Sequence, residues 1–341
     1  MRTLRGAIAG FGRVAAEAHV PGFRAAGGFE VVAVVDPSPE QRELAARVLP
    51  GVPTFADLAA LAAAPVKVDF VDVAAPPALH APLGLEALGR RWHVLCEKPL
   101  AVSVDDVGKL AAAARRSSRV IFTVHNWKHA PILRRLHGLI GAGTVGDLAE
   151  IDWEILRPSP PDGAVADART WRLDRAAAGG GVVMDHGWHA FYALLFLSGR
   201  QPVAVTADLR RERGLDVEDN AEVTLELGDC VARIHLSWTA GERRSRVRAR
   251  GPVGEIVVDE DVLVVRVAGR ADDETRFAPP LSASSVHPEW FPPVAEEFRE
   301  EVMHVDRRGR NLAVARKCAE LVAAAYASEG RRIVLAGDPL A

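Results

Sequence analysis

Short apolar runs alternate with helix-like segments through the first 125 residues, and this alternation restricts the possible folds more than any other feature of the chain. The runs predict strands over 6–9, 30–35, 68–73, 92–96 and 120–124, and the segments between them predict helices over 15–26, 39–49, 54–64, 80–88 and 104–116. Strands that are apolar on both faces are typical of a parallel sheet covered by helices on each side. Right-handed crossovers bring the carboxyl ends of such strands to one edge. The residues expected to share that edge are Gly10, Asp36, Pro76, Lys98 and His125.

The first predicted strand leads into a turn with the pattern G-x-G-x-x-A, from Gly10 to Ala15. Gly10 allows a tight turn, Gly12 allows the backbone to approach a pyrophosphate, and Ala15 allows the following helix to lie close to the strand. The N–H groups at the start of that helix would face the phosphates, although the same glycine spacing also occurs in ordinary turns. The candidate phosphate-binding residues are Gly10, Phe11, Gly12, Arg13 and Val14.

Asp36 ends the second predicted strand, 24 residues after Gly12. This interval is close to the roughly 20 residues expected before an acidic side chain that accepts hydrogen bonds from the adenosine ribose of a dinucleotide. A carboxylate would repel a 2′-phosphate, and no arginine follows at once in the Asp-Pro-Ser sequence, so NAD is expected in preference to NADP. The alternative for Asp36 is a turn residue or a helix N-cap before Pro37.

Glu97, Lys98 and Pro99 stand where the apolar run of residues 94–96 breaks off. Pro99 cannot continue a strand ladder and biases Lys98 away from helical geometry. The lysine is therefore expected at the carboxyl end of a buried strand, where open α/β sheets bind ligands. The alternative is a solvated Glu/Lys pair beside a turn proline. Further cofactor contacts are expected around this lysine and in the loop after the third strand, from Ala75, Pro76, His80 and Glu97.

Residues 126–341 show a different pattern, which predicts a second domain. A chain of 341 residues exceeds one ordinary core, so two domains are expected, 1–125 and 126–341. Period-two alternation predicts antiparallel strands with one covered face, over 148–156, 202–210, 220–227, 230–239, 246–250 and 255–267, with a terminal strand or tail over 332–335. Helices are predicted over 132–140, 182–197, 294–305 and 312–328. The expected fold is α/β: a doubly wound parallel sheet, then an α+β domain with an open-faced, mostly antiparallel sheet.

Asp185 and His189 stand four residues apart on the predicted helix over 182–197, so both side chains point from one face. An imidazole exchanges protons near neutral pH, and a carboxylate one turn away can select its tautomer and raise its basicity. The alternative for His189 is a packed core histidine. Residues that could hold substrate hydroxyls, or else pack and pair on the surface, are Asn126, Lys128, Trp171 and Arg172.

Composition and charge exclude several classes of protein. The net charge is −3 and the arginines are scattered, so a nucleic-acid surface is not expected. The three cysteines are widely spaced and odd in number, which argues against a disulfide framework and a zinc site, and no metal is expected. The amino terminus shows neither a long apolar segment nor a signal-peptide layout. We therefore expect a cytoplasmic protein without membrane contact.

Taken together, these motifs resemble the Gfo/Idh/MocA family of NAD(P)-dependent oxidoreductases, the glucose-fructose oxidoreductase and inositol dehydrogenase group. The likeness covers nearly the whole chain, in the segments AGFGRVA, CEKP, HNWKHAP, WRLD and GGGVVMDHGWH. It implies a Rossmann domain followed by an α/β domain whose open sheet forms homodimers or homotetramers. It also implies that Lys98 lies near nicotinamide and substrate, and that Asp185 and His189 complete a proton-handling site.

The activity implied by the resemblance is hydride transfer between NAD and a secondary hydroxyl of a sugar, cyclitol or related polyol. Two positions depart from the family pattern: the Ala-Pro-Pro sequence at 75–77 stands where Thr-Pro-Asn is common, and Lys128 stands where arginine is common. Two other functions within the same family stay open. One is an NAD-dependent glycosidase with no net redox change, and the other is a cofactor-binding regulator without turnover.

Overall fold

The structure, a computed structural model, describes residues 2–160 and 171–335. These residues form two compact units. The first holds the described residues up to Asn126, together with Ala176–Gly179 and Val286–Ala319. The second holds those of Trp127–Arg175, Gly180–Ser285 and those from Glu320 onward. This differs from the expected division into 1–125 and 126–341, because a late segment of the chain returns to the first unit.

The first unit is built on a parallel sheet, as predicted, but the sheet has six strands where five were predicted. Its strands are β1 (Leu4–Ala9), β2 (Phe29–Val35), β3 (Thr54–Phe55), β4 (Phe70–Val73), β5 (His93–Cys96) and β6 (Ile121–Thr123). The strand order is β3-β2-β1-β4-β5-β6, and all neighbours pair in parallel. The order reverses between β1 and β4, and such a switch point leaves a crevice at the carboxyl ends of the strands, where doubly wound sheets bind ligands.

The helices between these strands are α1 (Val20–Ala26), α2 (Pro39–Val48), α3 (Leu58–Ala63), α4 (His80–Gly89) and α5 (Val104–Ser117). The single helix predicted over 54–64 is wrong in its first part. Residues Thr54 and Phe55 pair with the end of β2 as a short edge strand. The helix starts only at Leu58, after the N-cap Asp57, whose carboxylate accepts a hydrogen bond from the Ala60 N–H at 2.7 Å. A strand of two residues has no periodicity to detect, so its pairing with β2 decides the structure.

The second unit contains a nine-stranded sheet. Its strands are β7 (Glu150–Leu156), β8 (Ala204–Arg210), β9 (Asn220–Leu227), β10 (Cys230–Ser237), β11 (Arg244–Gly251), β12 (Gly254–Asp259), β13 (Val262–Val267), β14 (Asp273–Arg276) and β15 (Ile333–Val334). The order is β14-β13-β12-β11-β7-β10-β9-β8-β15, and β7 with β10 is the parallel pair in an otherwise antiparallel sheet. The predicted mostly antiparallel sheet is confirmed. The single strand predicted over 255–267 is instead a hairpin of β12 and β13, which turns at Glu260 with φ +57°.

The two faces of this sheet differ in chemistry, because successive residues of a strand point to opposite sides. On β7, Ile151 and Trp153 are buried in the core. Their neighbours Glu150 and Asp152 pair with arginine side chains of adjacent strands, including Arg233 at 3.5 and 3.3 Å. The sheet therefore has one apolar face and one face of alternating charges, as an open-faced sheet requires.

The remaining helices are α6 (Pro131–Gly141), α7 (Arg175–Ala178), α8 (Trp188–Ser198), α9 (Phe291–Met303) and α10 (Arg310–Ser328). Helix α9 packs on α1 in the first unit: the Phe291 ring stacks on His19 at 4.1 Å between ring centroids and meets Phe23 edge-on at 5.2 Å. Gly22 makes room for this ring, because a Cβ there would clash with it. This aromatic contact explains why residues 286–319 belong to the first unit.

Asn311, near the start of α10, pairs with the edge strand β6. Its Oδ1 accepts a hydrogen bond from the Thr123 N–H at 2.7 Å, and its Nδ2 donates to the Thr123 carbonyl at 3.0 Å. An edge strand exposes unpaired backbone groups, and here one side chain satisfies a donor and an acceptor together. Within residues 2–160 and 171–335, no helix combines the length and apolar character that crossing a membrane demands.

Candidate active site

The glycine turn after β1 has the geometry that a dinucleotide needs. Gly10 has φ +88°, a conformation that favours glycine, and a Cβ there would lie 2.8 Å from the backbone of Ala74 and Ala75. Gly12 is different, because no atom lies within 4 Å of an added Cβ. The backbone at Gly12 therefore faces open space, which leaves room for a pyrophosphate to approach. The intervening Phe11 side chain is fully buried and anchors the turn in the core.

The chain enters its first helical segment directly after this turn. Val14 already has helical angles, and the Ala16 N–H donates to the Gly12 carbonyl at 3.1 Å. Arg13 is exposed and pairs with Glu17 at 2.9 Å. Residues Ala15–His19 form a π-helical turn before α1 begins. Such turns are rare and are often found at functional sites.

Asp36 lies against the glycine turn. Its Oδ2 accepts a hydrogen bond from the Phe11 N–H at 2.8 Å, and its Oδ1 accepts one from the Ser38 N–H at 2.9 Å. The N-cap of α2 is Ser38, whose hydroxyl accepts from the Gln41 N–H. Asp36 thus accepts hydrogen bonds from two turns but is not the N-cap of α2. Its carboxylate is held against the backbone of the glycine turn, so its role as a ribose acceptor stays a prediction.

Arg42 was not predicted to lie near this carboxylate. Its Nη1 donates to the backbone carbonyls of Asp36 and Pro37, at 2.7 and 2.9 Å. Six residues separate it from Asp36 in the sequence, and one turn of α2 brings it back to the end of β2. A guanidinium therefore lies on the backbone of the residue whose carboxylate is expected to exclude a 2′-phosphate.

We expect Asp36→Ala to weaken NAD binding by about 10–100-fold, because hydrogen bonds to a charged group contribute about 1.5–3 kcal/mol. NADP binding should be weakened less or improved, since the repulsion is lost while Arg42 remains. Calorimetric titration of both cofactors measures the two affinities. Asp57→Ala is the matched control, because it also removes a carboxylate that binds a backbone N–H in the same unit. An unchanged NAD/NADP ratio would contradict the ribose assignment.

His80 joins two turns at the carboxyl edge of the sheet. Its Nε2 contacts the Ala75 carbonyl at 2.7 Å, and its Nδ1 contacts the Pro99 carbonyl at 2.6 Å. The ring is buried, so its polar contacts here are with the protein backbone. His80 thereby connects the Ala75-Pro76 turn after β4 with the turn that follows Lys98. Any influence of this ring on the cofactor would pass through those two turns.

Lys98 stands at the carboxyl end of β5. The preceding residue, Glu97, is tied to β4 by its N–H, which donates to the Val73 carbonyl at 2.8 Å. The Lys98 N–H then donates to the Glu97 Oε2 at 3.0 Å, and the Lys98–Pro99 peptide bond is cis. Lys98 is half-buried at the same sheet edge as the glycine turn. The predicted placement of this lysine at a strand-to-turn corner is therefore observed.

In the second unit, the glycine triplet is explained by a close approach of other chain segments. A Cβ on Gly180 would clash with the Tyr326 hydroxyl, and one on Gly181 would clash with the backbone of Glu218. The Glu218 Oε1 accepts hydrogen bonds from the N–H groups of Gly181 and Val183, at 3.0 and 3.1 Å. The Tyr326 hydroxyl donates to the same oxygen at 2.7 Å. This carboxylate therefore holds the start of the helical segment that carries Asp185.

Glu218 and Tyr326 are functional candidates that sequence reasoning missed. Burial raises the pKa of Glu218, although its hydrogen bonds to Tyr326, Val183 and Gly181 oppose that effect. The two residues lie far from the glycine triplet along the chain, so no local pattern connects them. The triplet was the one available signal, since three successive glycines indicate that something else occupies the space of the missing side chains.

Asp185 lies in a π-helical turn, Val183–Gly187, that precedes α8. Arg172 approaches it, with 3.8 Å between the Arg172 Nε and the Asp185 Oδ2. The guanidinium of Arg172 also lies over the Trp171 ring, 4.2 Å from its centroid. The structure thus brings together three of the predicted substrate residues. Asp185 is paired with a cation, which the sequence did not indicate.

His189 follows on α8 and is 8% exposed. Its Nδ1 is hydrogen-bonded to the Tyr192 hydroxyl at 2.8 Å, and that hydroxyl accepts from the Trp127 N–H at 2.9 Å. The imidazole also stacks on the Trp127 ring, with centroids 4.8 Å apart. Tyr192, three residues further along the helix, was not predicted. The role of Asp185 in orienting the imidazole stays a prediction, because the partner that the structure gives Nδ1 is the Tyr192 hydroxyl.

Two more predicted substrate residues adjoin Trp127 in the sequence. Lys128 lies in the short turn Trp127–His129 of the second unit and is half-buried. Asn126 is half-buried at the end of the first segment of the first unit.

Two family models match the chain. The NAD-binding Rossmann fold of the oxidoreductase family matches residues 4–125, and the GFO/IDH/MocA C-terminal domain matches residues 133–257. A protein of Amycolatopsis mediterranei described as a UDP-kanosamine synthase oxidoreductase subunit is 28% identical over 96% of each chain. The dTDP-3,4-didehydro-2,6-dideoxy-α-D-glucose 3-reductase of Streptomyces violaceoruber is 30% identical over 65% of this chain and 63% of its own.

Solved structures show the same fold. Levoglucosan dehydrogenase in complex with NADH has a TM-score of 0.84 and 19% identity, over 98% of this chain and 99% of that one. At this identity the likeness concerns the fold, and the family models and relatives add the class of enzyme. The chain therefore belongs to the Gfo/Idh/MocA family of oxidoreductases and carries that family's NAD-binding Rossmann domain.

Proposed function

We propose that this enzyme reversibly oxidises a secondary hydroxyl of a sugar, cyclitol or related polyol to a ketone. NAD, when bound, accepts the hydride from the carbinol carbon, and the hydroxyl proton passes to the protein. The observation that carries this proposal is the His189 imidazole, stacked on Trp127 and hydrogen-bonded through Nδ1 to Tyr192. A ring held in this way can exchange a proton at its other nitrogen without changing orientation.

The first unit binds and orients the cofactor in this proposal. The glycine turn receives the pyrophosphate on backbone N–H groups, and Asp36 accepts hydrogen bonds from the adenosine ribose. The turns connected by His80 border the nicotinamide end. The residues assigned to cofactor binding are Gly10, Phe11, Gly12, Arg13, Val14, Asp36, Ala75, Pro76, His80, Glu97 and Lys98.

His189 and Lys98 have different roles at the reacting oxygen in this proposal. His189 takes the hydroxyl proton as general base, at Nε2, because Nδ1 is bonded to Tyr192. Lys98 donates a hydrogen bond to the same oxygen and stabilises negative charge that develops on it. Asp185 raises the basicity of the imidazole from one helical turn away, while Arg172 limits how much negative charge Asp185 presents.

Substrate hydroxyls are held by side chains around these groups. Arg172 offers a planar set of donors that is already oriented by Trp171 and Asp185. Lys128 and Asn126 extend the set of polar partners. Orientation of this kind supplies much of the rate in a reaction whose chemistry belongs to the cofactor.

The charged face of the nine-stranded sheet is the surface that we assign to self-association as a homodimer or homotetramer. Rows of acidic and basic residues alternate across it, for example Glu150 beside Arg233 and Arg250. A second copy of the same face could match these rows with opposite charges.

The test is to incubate the enzyme with NAD and a panel of sugars, inositols, their acids and nucleotide sugars, and to follow the absorbance of NADH. Nucleotide sugars belong in the panel because two relatives carry UDP- and dTDP-sugar names. Accumulation of NADH with a panel member supports the proposal, with Lys98→Met as the inactive control. Sugar release without net NADH would indicate the glycosidase. Thermal stabilisation by ligands without either product would indicate a regulator.

A further inference from the structure

A buried polar cluster lies in the first unit, next to the residues assigned to the cofactor. His19 ends the π-helical turn Ala15–His19 and is 1% exposed, and Asp72 on β4 is 0% exposed. The His19 Nδ1 lies 2.8 Å from the Asp72 Oδ2, and its Nε2 lies 3.0 Å from the Glu97 Oε1. One imidazole therefore links three elements: the π-helical turn that carries it, strand β4 and the turn after β5.

We infer that His19 is a positioning residue, which holds the Glu97 carboxylate and, through it, the backbone of Lys98. The Glu97 carboxylate has two oxygens with different partners. Oε1 meets the His19 ring, and Oε2 accepts the Lys98 N–H at 3.0 Å. The hydrogen bonds thus run from Asp72 through His19 and Glu97 to the peptide group that sets the direction of the lysine. Loss of the imidazole would release the carboxylate that orients this peptide.

The charge of the ring follows from its partners. Both ring nitrogens face a carboxyl oxygen. When both carboxyl groups are ionised, the ring must donate both hydrogen bonds and so carries two N–H groups, which is the imidazolium form. Burial alone lowers the pKa of His19, but the charges and hydrogen bonds of Asp72 and then Glu97 raise it to about 10. Burial by itself raises the pKa of Glu97, but the hydrogen bond and the charge of His19 bring that pKa below its ordinary value. A cation between the buried Asp72 carboxylate and the half-buried Glu97 carboxylate offsets the repulsion between these two groups.

Packing holds the ring in the plane that these contacts require. Phe291 of α9 stacks on His19 with 24° between the rings, and Phe23 of α1 meets it edge-on at 6.4 Å. The groups that face His19 are therefore the Asp72 carboxylate of β4, the Glu97 carboxylate of the turn after β5, and the rings of Phe23 and Phe291. An aromatic side chain of similar shape fits the same place, which makes His19→Phe a suitable variant.

The first experiment measures the wild-type protein and needs no substrate. Nitrogen-15 NMR of the histidine rings should show His19 with two ring N–H groups between about pH 6 and pH 9. His93 is an internal reference, because burial and then Arg119 and Arg308 lower its pKa to about 4 and keep it neutral. A His19 ring with a single N–H at neutral pH would overturn the inference, whatever the enzyme does.

The second experiment measures hydrogen exchange at the Lys98 amide in His19→Phe and in the milder His19→Gln. We expect exchange to rise about tenfold or more in His19→Phe, because the acceptor on Glu97 is no longer held. The Val94 amide, which donates to the Val120 carbonyl within the sheet, should exchange as in the wild type. Unchanged Lys98 exchange in both variants would overturn the inference. If a variant does not fold, the ring measurement on the wild type still decides.

The catalytic consequence, unlike these two measurements, rests on the proposed function. His19→Phe should lower kcat by about 10–100-fold with little change in KM for the sugar, because misplacement of Lys98 affects the reacting oxygen rather than substrate binding. A purely structural role would instead appear as lost stability with normal kcat for the folded fraction. If the wild-type enzyme turns over no sugar, the proposed function fails, whereas the exchange and ring measurements still test His19.

Discussion

His189→Ala is expected to lower kcat by about 10²–10⁴-fold, the usual contribution of a general base, while the affinity for NAD stays nearly unchanged. The imidazole lies in the second unit against Trp127 and Tyr192. The glycine turn and Asp36, which are assigned to the dinucleotide, lie in the first unit. Steady-state kinetics with the active sugar and calorimetric titration of NAD measure the two quantities separately.

Tyr192→Phe is the graded companion to this variant. It removes the hydroxyl that meets the His189 Nδ1 and leaves the ring that packs beside it. We expect a smaller loss of kcat, because the base remains but its tautomer is less strongly selected. A loss of NAD affinity equal to the loss of turnover in His189→Ala would contradict the assignment of His189 as the base.

Lys98→Met is expected to lower kcat by about 10²–10³-fold, the usual cost of removing one group that stabilises developing charge. Methionine keeps an unbranched apolar stem of similar length and removes the ammonium. NAD binding should fall much less than turnover, because many groups share the binding of the dinucleotide. The same kinetic and calorimetric measurements apply.

Two other lysine variants control for charge and for position. Lys98→Arg keeps the positive charge with a planar head of different reach, so we expect partial activity. Lys109→Met removes an exposed lysine of α5 that pairs with Asp105 and Asp106, and activity should stay at the wild-type level. Wild-type kcat in Lys98→Met would show that the ammonium takes no part in the reaction.

Local sequence patterns determined much of the first unit. The apolar runs predicted five of its six strands, because a strand covered on both faces has a composition that differs from its flanking helices. The predicted helix over 80–88 and the strand over 220–227 match α4 and β9 to within one residue at each end. The placement of the glycine turn, Asp36 and Lys98 after their strands was also predicted from the sequence, since the carboxyl ends of neighbouring parallel strands lie at one edge of the sheet.

Tertiary structure decided the features that join distant parts of the chain. The return of residues 286–319 to the first unit depends on aromatic contacts of Phe291 with α1. The glycine triplet depends on Glu218, and the edge of β6 depends on Asn311, which is 188 residues away. Each of these is a pairing between residues with no shared periodicity, so no local pattern in the sequence identifies the partner.

The chemistry of the site divides in the same way. The sequence by itself predicted Lys98, Asp185 and His189 as site residues, because a lysine after a buried strand and two polar residues one helical turn apart are local patterns. Other side chains hold the residues around this site, namely His19 for Glu97 and Tyr192 for His189. These contacts became visible only in the folded chain. The reason is physical: burial and hydrogen bonding set the protonation of a side chain, and both are properties of its three-dimensional surroundings.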